Sequence, residues 1–354
     1  MNYDLKTKKL RKSEVEIEVS LPADFLVSAR KKALEKMRAN LEIDGFRKGN
    51  VPEAMVLEKI GDKVLLEEAA DIILNEHFPK IVTQEKLDVI GRPNIQITKL
   101  ALDNPFEFKV VVAVLPEFEL LDYKSVAKAQ SASLKVEEPE ATEKEVEEVL
   151  LQIRKNKAHF DWHKANPEDK GHDHPNLDLE KEENLPTIDD DFAKQAGNFK
   201  NVEELKEKVK QNIMEEKKFR NIEKKRALIM DELLRQTPIE LPEILIESEI
   251  NKSIAQMKDD VARAGGKFED YLKHVKKSEE DLRKDLRDSS EKKAKIQLIF
   301  NKIAEAEKLE PNKEILENEV KKIIELYPDA SPESARIYVS TLLLNQEVLK
   351  LLES

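Results

Sequence analysis

The chain has 354 residues, of which 38% are charged, 5% aromatic and only 8 are glycine, and its net charge is −12. That length accommodates two or three domains, and the balance suits long amphipathic helices better than a compact, sheet-rich enzyme with many tight turns. With no cysteine, disulfides and thiol chemistry are excluded, and the acidity argues against a general polyanion binder.

The charge is unevenly placed. Residues 1–50 hold twelve Lys/Arg against eight Asp/Glu, so a mildly basic leading segment precedes an acidic body. The basic start has no apolar stretch behind it and does not read as a secretory signal. No uncharged apolar run reaches the ~18 residues that crossing a bilayer requires. The expectation is a cytoplasmic protein with no membrane span.

In chain order, Val15, Ile17 and Val19 alternate with glutamates, the period-two mark of a half-buried strand. Phe25, Ala29, Ala33, Met37 and Leu41 then recur every fourth residue and predict a helix opened by Pro22 and Asp24. A loop, "DGFRKGNVPEA", interrupts it. Pro52 opens a further helix whose apolar positions continue through Leu65, Ala69, Ile72 and Ile73 to Phe78. "NIQITKL" and "FEFKVVVAVLPEF" read as a hairpin across the turn "LDNP". Together these predict a small α+β domain over 1–118, with antiparallel strands plus helices.

From Leu121 to Thr142 there is little periodicity, and the stretch reads as a solvated linker. A linker helix follows from Glu143 to about Phe160, so linker and helix together span 119–160. The segment 161–184 is polar and broken by Pro167, Gly171 and Pro175, a connector short of apolar anchors. Beyond it, 185–354 reads as all-α with helical-hairpin arms, giving an elongated multi-domain chain. Leu205, Val209 and Ile213 mark a helix running to Leu234. Ile246, Ile250, Ile254, Met257 and Val261 mark the next, closed by Gly265 and Gly266. Ile296, Ile299, Ile303 and Ala306 belong to a third, and Leu316, Val320, Ile323 and Tyr327 to a fourth that stops at Pro328. A last helix starts at Pro332. The stripes are narrow, so each helix buries itself against one or two neighbours.

Candidate chemistry is sparse. "GGK" at Gly265 lacks the upstream glycine and following Ser/Thr of a phosphate-cradling loop, which argues against ATP-driven cycling. No catalytic residue and no cofactor is assigned. His159, His163, His172 and His174, with Asp161 and Asp173 nearby, form the most tempting cluster for a metal; a zinc site needs rigidly held ligands, and the favoured reading is solvated linker histidines with no metal. The run "EEPEATEKEVEEVL" reads as the wet face of a helix or as an acidic docking patch.

Gly45-Phe46-Arg47-Lys48-Gly49, followed by Pro52, resembles the G-F-R-x-G-x-x-P signature of the bacterial trigger factor family, chaperones that wait at the ribosomal exit tunnel. Leu185-Pro186, Asp190-Asp191-Phe192-Ala193-Lys194, Gly197 and Glu203-Glu204-Leu205 resemble the start of that family's helical body, and "LPEILIESEI" resembles the entry to its first arm. The likeness covers nearly the whole chain. It departs at 161–184, where the family carries an FKBP-type prolyl isomerase domain that this connector is too short to form.

The resemblance implies an ATP-independent chaperone whose Gly45, Phe46, Arg47, Lys48, Gly49 and Pro52 meet ribosomal protein and RNA beside the tunnel. It also implies nascent or unfolded polypeptides as clients and a homodimer off the ribosome. Arg can meet a phosphate or carboxylate bidentately, and an exposed aromatic beside it has the makings of an interface anchor. Met257, Phe268, Tyr271, Leu326, Tyr327 and Tyr338 are candidate client anchors, with packing between arm helices as their other reading. The rival functions are a peptidyl-prolyl isomerase and a holdase independent of the ribosome.

Overall fold

The structure is a computed structural model; it describes residues 3–42, 51–133, 139–166 and 178–354. The loop residues Gly45 to Gly49 and the histidines His172 and His174 lie outside the described residues. The chain divides into two compact units, one of residues 1–121 and 234–345, the other of 122–233 and 346–354.

The first unit opens with an antiparallel sheet of β1 (Asp4–Lys9), β2 (Glu14–Leu21), β3 (Val89–Lys99) and β4 (Phe106–Val114), in the order β1-β2-β4-β3. Register places Val15 opposite Val112, Ile17 opposite Val110, Val19 opposite Phe108 and Leu21 opposite Phe106. All eight side chains are buried on one face, as the period of two demands. The helices α1 (Ala23–Asn40), α2 (Glu53–Ile60) and α3 (Asp62–Gln84) supply the rest of that core through Leu26, Ala33, Val56, Leu65, Ala69 and Ile81. Each large aliphatic side chain fully removed from water there contributes about 1.5–3 kcal/mol.

Several details differ from the sequence reading. The strand β1 escaped it because "DLKTKK" carries one apolar residue; it is an edge strand whose Lys6 and Lys8 face Glu18 and Glu16 across the ladder. The helix predicted from Pro52 to Phe78 is two helices, broken by Gly61 at φ 82. The second of them runs through Pro79 to Gln84, because Ile81, fully buried, anchors the turn beyond the proline. In α1 the buried stripe is Leu26, Ala29, Ala33 and Leu34, one position round from Phe25 and Met37, which pack at its margin.

The turn joining β1 to β2 places Lys12 and Ser13 at φ 59 and 50, the left-handed region, at about 1–2 kcal/mol each for side chains of this kind.

The first unit also holds α8 (Glu243–Arg263), α9 (Phe268–Val275), α10 (Glu279–Ala306), α11 (Lys313–Leu326) and most of α12 (Pro332–Glu353). The helices α8 and α10 pack as a hairpin, with Ile246, Ile250 and Ile254 buried on one and Leu282, Ala294, Ile299 and Ile303 on the other. Ser278 and Asp281 cap α10 reciprocally. Gln297 of α10 and Asn345 of α12 exchange amide hydrogen bonds of 3.0 and 2.8 Å, which fixes their register.

The second unit contains α4 (Tyr123–Ser133), α5 (Glu143–Ala165), α6 (Asp190–Gly197) and α7 (Val202–Gln236), whose last residues pass into the first unit. The presence of α4 corrects the expectation of a solvated linker from Leu121: Asp122 caps it through Ser125, and Tyr123, Val126 and Ala127 are buried. Val146 and Leu150 of α5, Phe192 and Ala193 of α6, and Leu205, Val209 and Ile213 of α7 form one core.

Candidate functional site

Two regions of the first unit bear on the candidate docking loop and the candidate client anchors. The first is the base of the 45–49 loop. Its incoming end leaves α1 at Leu41, in extended conformation at φ −86 and ψ 128. Its outgoing end is set by Val51, which is buried in the sheet-and-helix core. Pro52 caps α2 from just outside, its carbonyl accepting from the Met55 and Val56 N–H groups at 3.1 Å. Arg30 donates from one guanidinium nitrogen to Glu53 at 2.8 Å and from the other to Asp62 at 3.1 Å, so α1 grips the first turns of both α2 and α3. Lys32 pairs with Glu76 at 2.8 Å and Lys36 with Glu68. These ties hold the two stems of the loop.

The second region is the set of helices α8 to α12. Arg287 of α10 holds Glu243 of α8 bidentately at 2.5 and 2.8 Å, Arg283 holds Glu247, and Lys258 meets Glu279 at 3.1 Å. The Arg287 hydrogen bond, with help from Lys12, holds the Glu243 carboxyl below the usual carboxylate range against the opposing effect of burial.

Along this scaffold the six candidate anchors divide. Met257 and Tyr338 line one open cleft of about 690 Å³ together with Leu286. Phe268 and Tyr271 stack on each other at 5.9 Å on α9, under the Lys258 ammonium 5.1 Å from the Phe268 ring. Leu326 and Tyr327 end α11 at 75% and 49% exposure, and Arg263 donates to the Tyr327 hydroxyl at 3.2 Å. Ile315, Ile337 and Leu342, exposed at 48%, 63% and 44%, were not singled out from sequence. The available signal was the run "IYVSTLLL" in α12, which has too many apolar residues for one narrow stripe.

Of the histidines, His159 and His163 lie on α5 with rings 4.6 Å apart, edge to face, and Trp162 is 5.5 Å from His163. Among the described residues no group of three or more His, Cys, Asp or Glu could hold a metal. Among them, too, no helix is long and apolar enough to cross a membrane.

A sheet-and-helix head that frames a loop, joined to paired helices with open apolar faces, defines a protein whose working surfaces are exposed ones. Its family follows from comparison. The bacterial trigger factor protein (TF) family matches residues 3–153, and the C-terminal part of the same family matches 201–350. The chain belongs to the bacterial trigger factor family.

Trigger factor of Caldicellulosiruptor bescii is 27% identical over 399 aligned positions, covering 92% of this chain and 89% of that one. Those of Halothermothrix orenii, at 26% with 95% and 93% covered, and Clostridium tetani, at 23% with 97% of each covered, are similar. The first alignment has more positions than the 354 residues available, so the relative carries residues with no counterpart here. The chain lacks a middle domain region, and only 154–200 separate the two family matches. A solved trigger factor chaperone, described for promiscuous substrate recognition in folding and assembly, shares the fold at a TM-score of 0.55, with 20% identity over 98% of this chain and 99% of that one.

Proposed function

We propose that this chain is an ATP-independent chaperone of the cytoplasm that docks beside the ribosomal exit tunnel and holds nascent or unfolded polypeptides. The observation that carries the holding role is the exposed apolar series Ile315, Leu326, Ile337, Tyr338 and Leu342 on α11 and α12. A client segment that buries a few such side chains gains about 1.5–3 kcal/mol for each one fully covered. Association costs an estimated 4–15 kcal/mol. The surplus is small, so capture is weak and release needs no nucleotide.

Docking is assigned to Gly45, Phe46, Arg47, Lys48, Gly49 and Pro52, with Phe46 as anchor and the two cations meeting ribosomal protein and RNA. The gripped loop stems support this reading, because a tip that must find one partner gains from fixed ends. Off the ribosome, a second copy of the chain covers the apolar faces. The chaperone works without prolyl isomerase turnover, since the region where its family carries that domain is missing.

Two measurements test the proposal. Suppression of aggregation of a chemically unfolded protein reports holding; no suppression at equimolar chaperone removes that role. Co-sedimentation with ribosomes reports docking, and the triple substitution Phe46→Ala, Arg47→Ala, Lys48→Ala is expected to abolish it. Accelerated isomerisation of a proline peptide by the pure chain would overturn the non-enzymatic reading.

A further inference from the structure

The turn between β1 and β2 is made of residues that do not favour its backbone. Lys12 and Ser13 are consecutive in the left-handed region, at φ 59 and 50, where turns usually place Gly, Asn or Asp. Such a conformation persists only where its surroundings over-determine it.

Here the surroundings are the segment that leads into α8. The Lys12 backbone N–H donates to the Glu240 carboxylate at 3.0 Å, and Ser13 Oγ donates to the Glu240 carbonyl at 2.8 Å. The Lys12 ammonium lies 3.7 Å from Glu243, the same carboxylate that Arg287 of α10 holds. The segment carrying Glu240 is itself fixed, with Thr237, Ile239, Leu241 and Pro242 buried on alternate sides of the exposed Pro238 and Glu240.

Two further contacts join the same bodies. In β3, Gly91 at φ 73 lets Ile244 of α8 approach so closely that a Cβ there would lie 2.0 Å from Ile244 Cδ1. Beyond β4, Lys302 of α10 donates to the Phe118 carbonyl, and its ammonium sits 4.5 Å from the centre of the Phe118 ring.

We propose that the β1–β2 turn is a strained latch, with Glu240 as its positioning residue, which makes the N-terminal sheet and the α8–α10 hairpin one body. The functional consequence rests on the reading of the 45–49 loop as the docking element: a docked head then aims the hairpin instead of leaving it to swing on a linker.

Because the chain has no cysteine, spin labels go where they are placed. Lys31→Cys on α1 and Ala262→Cys on α8, both exposed, report the separation of the two bodies in the full-length chain by electron–electron dipolar spectroscopy. The unsubstituted turn is expected to give one narrow distance. Glu240→Ala combined with Ser13→Ala is expected to broaden it, while Glu240→Gln, which keeps a carbonyl acceptor, restores the narrow form. An unbroadened distribution in the double variant overturns the latch.

Should that variant fail to fold, hydrogen exchange on the unsubstituted chain decides. The Lys12 amide is expected to exchange as slowly as the amides of the α8–α10 hairpin; exchange at the rate of an open turn overturns the proposal. Co-sedimentation separates the two ideas. The Glu240 variants keep ribosome binding if the latch acts only on aim, whereas a loop variant that still sediments with ribosomes removes the docking reading and leaves the latch standing.

Discussion

Glu145 shows how much a single side chain can report. It closes the capping box of α5 with Thr142 and also receives Lys217 of α7 at 2.6 Å. The Lys217 hydrogen bond and then the Thr142 backbone N–H hold its pKa down from 4.5 to about 2. A depressed carboxylate contributes stability that is complete above its unfolded value and disappears as pH falls through the folded one. Acid melts of the natural chain should therefore lose stability between pH 4.5 and about 2, and Glu145→Gln should flatten that part of the curve. A profile unchanged by the substitution would mean that the ion pair does not form. Ser290 gives the opposite sign. It is fully buried in α10, and among the described residues its Oγ has no hydrogen-bond partner. Ser290→Ala removes an unsatisfied hydroxyl and improves helix propensity, a gain of about 1 kcal/mol, visible as a higher melting temperature. Among the described residues, nothing lies within 4 Å of where a Cβ on Gly61 would sit. Gly61→Ala thus isolates the backbone cost of a conformation, φ 82 and ψ 148, that is open essentially to glycine alone, about 1–3 kcal/mol, and denaturant midpoints measure it.

At the scale of elements, Thr142→Ala should cost about 1 kcal/mol through loss of the α5 cap, with the first amides of α5 exchanging faster while those of α8 stay unchanged. The legibility of elements in the sequence follows how each is stabilised. The helices α7 and α8 could be read directly, since Leu205, Val209, Ile213 and Ile246, Ile250, Ile254 repeat at helical spacing and are all buried. Short helices are harder to read. Only three residues of α4 are buried, and the Asp122 cap sets its start. In α9, Phe268, Tyr271, Leu272 and Val275 stand at helical spacing, but its eight residues bury none and are too few for the period to stand out. The edge strand β1 is held by a neighbour's backbone and leaves no apolar alternation of its own. The site was partly legible for a similar reason. A periodic stripe says which residues want cover, but the exposure of Ile337 and Leu342 beside buried Val339 depends on which neighbour α12 has. The latch was invisible in sequence, because its partners stand 227 and 228 positions apart.

At the scale of the whole molecule, the open apolar surface should be separable from stability. Ile337→Ser with Leu342→Ser replaces two exposed side chains, and surface changes of this kind usually alter stability by only about 0.5 kcal/mol either way. The melting temperature should hold while aggregation suppression falls; retained suppression would move the client surface elsewhere. Net charge of −12 with a basic first 50 residues predicts ribosome binding that weakens as salt rises, as counterion release at phosphates requires. The connector carries a consequence of its own. Midway along α5, Arg154 donates to the Pro186 carbonyl at 2.6 Å and meets Glu182 at 2.5 Å, and Lys155 meets Glu180 at 2.5 Å. The returning strand of chain is thereby buttoned to the very helix it left. The chain leaves that helix at its end, Ala165, and returns against its middle, so both ends of an excursion lie along one helix, and the entropy of closing a longer one grows only logarithmically with its length. A folded module whose ends match that spacing can be inserted here or left out, and the three-helix core need not be re-cut.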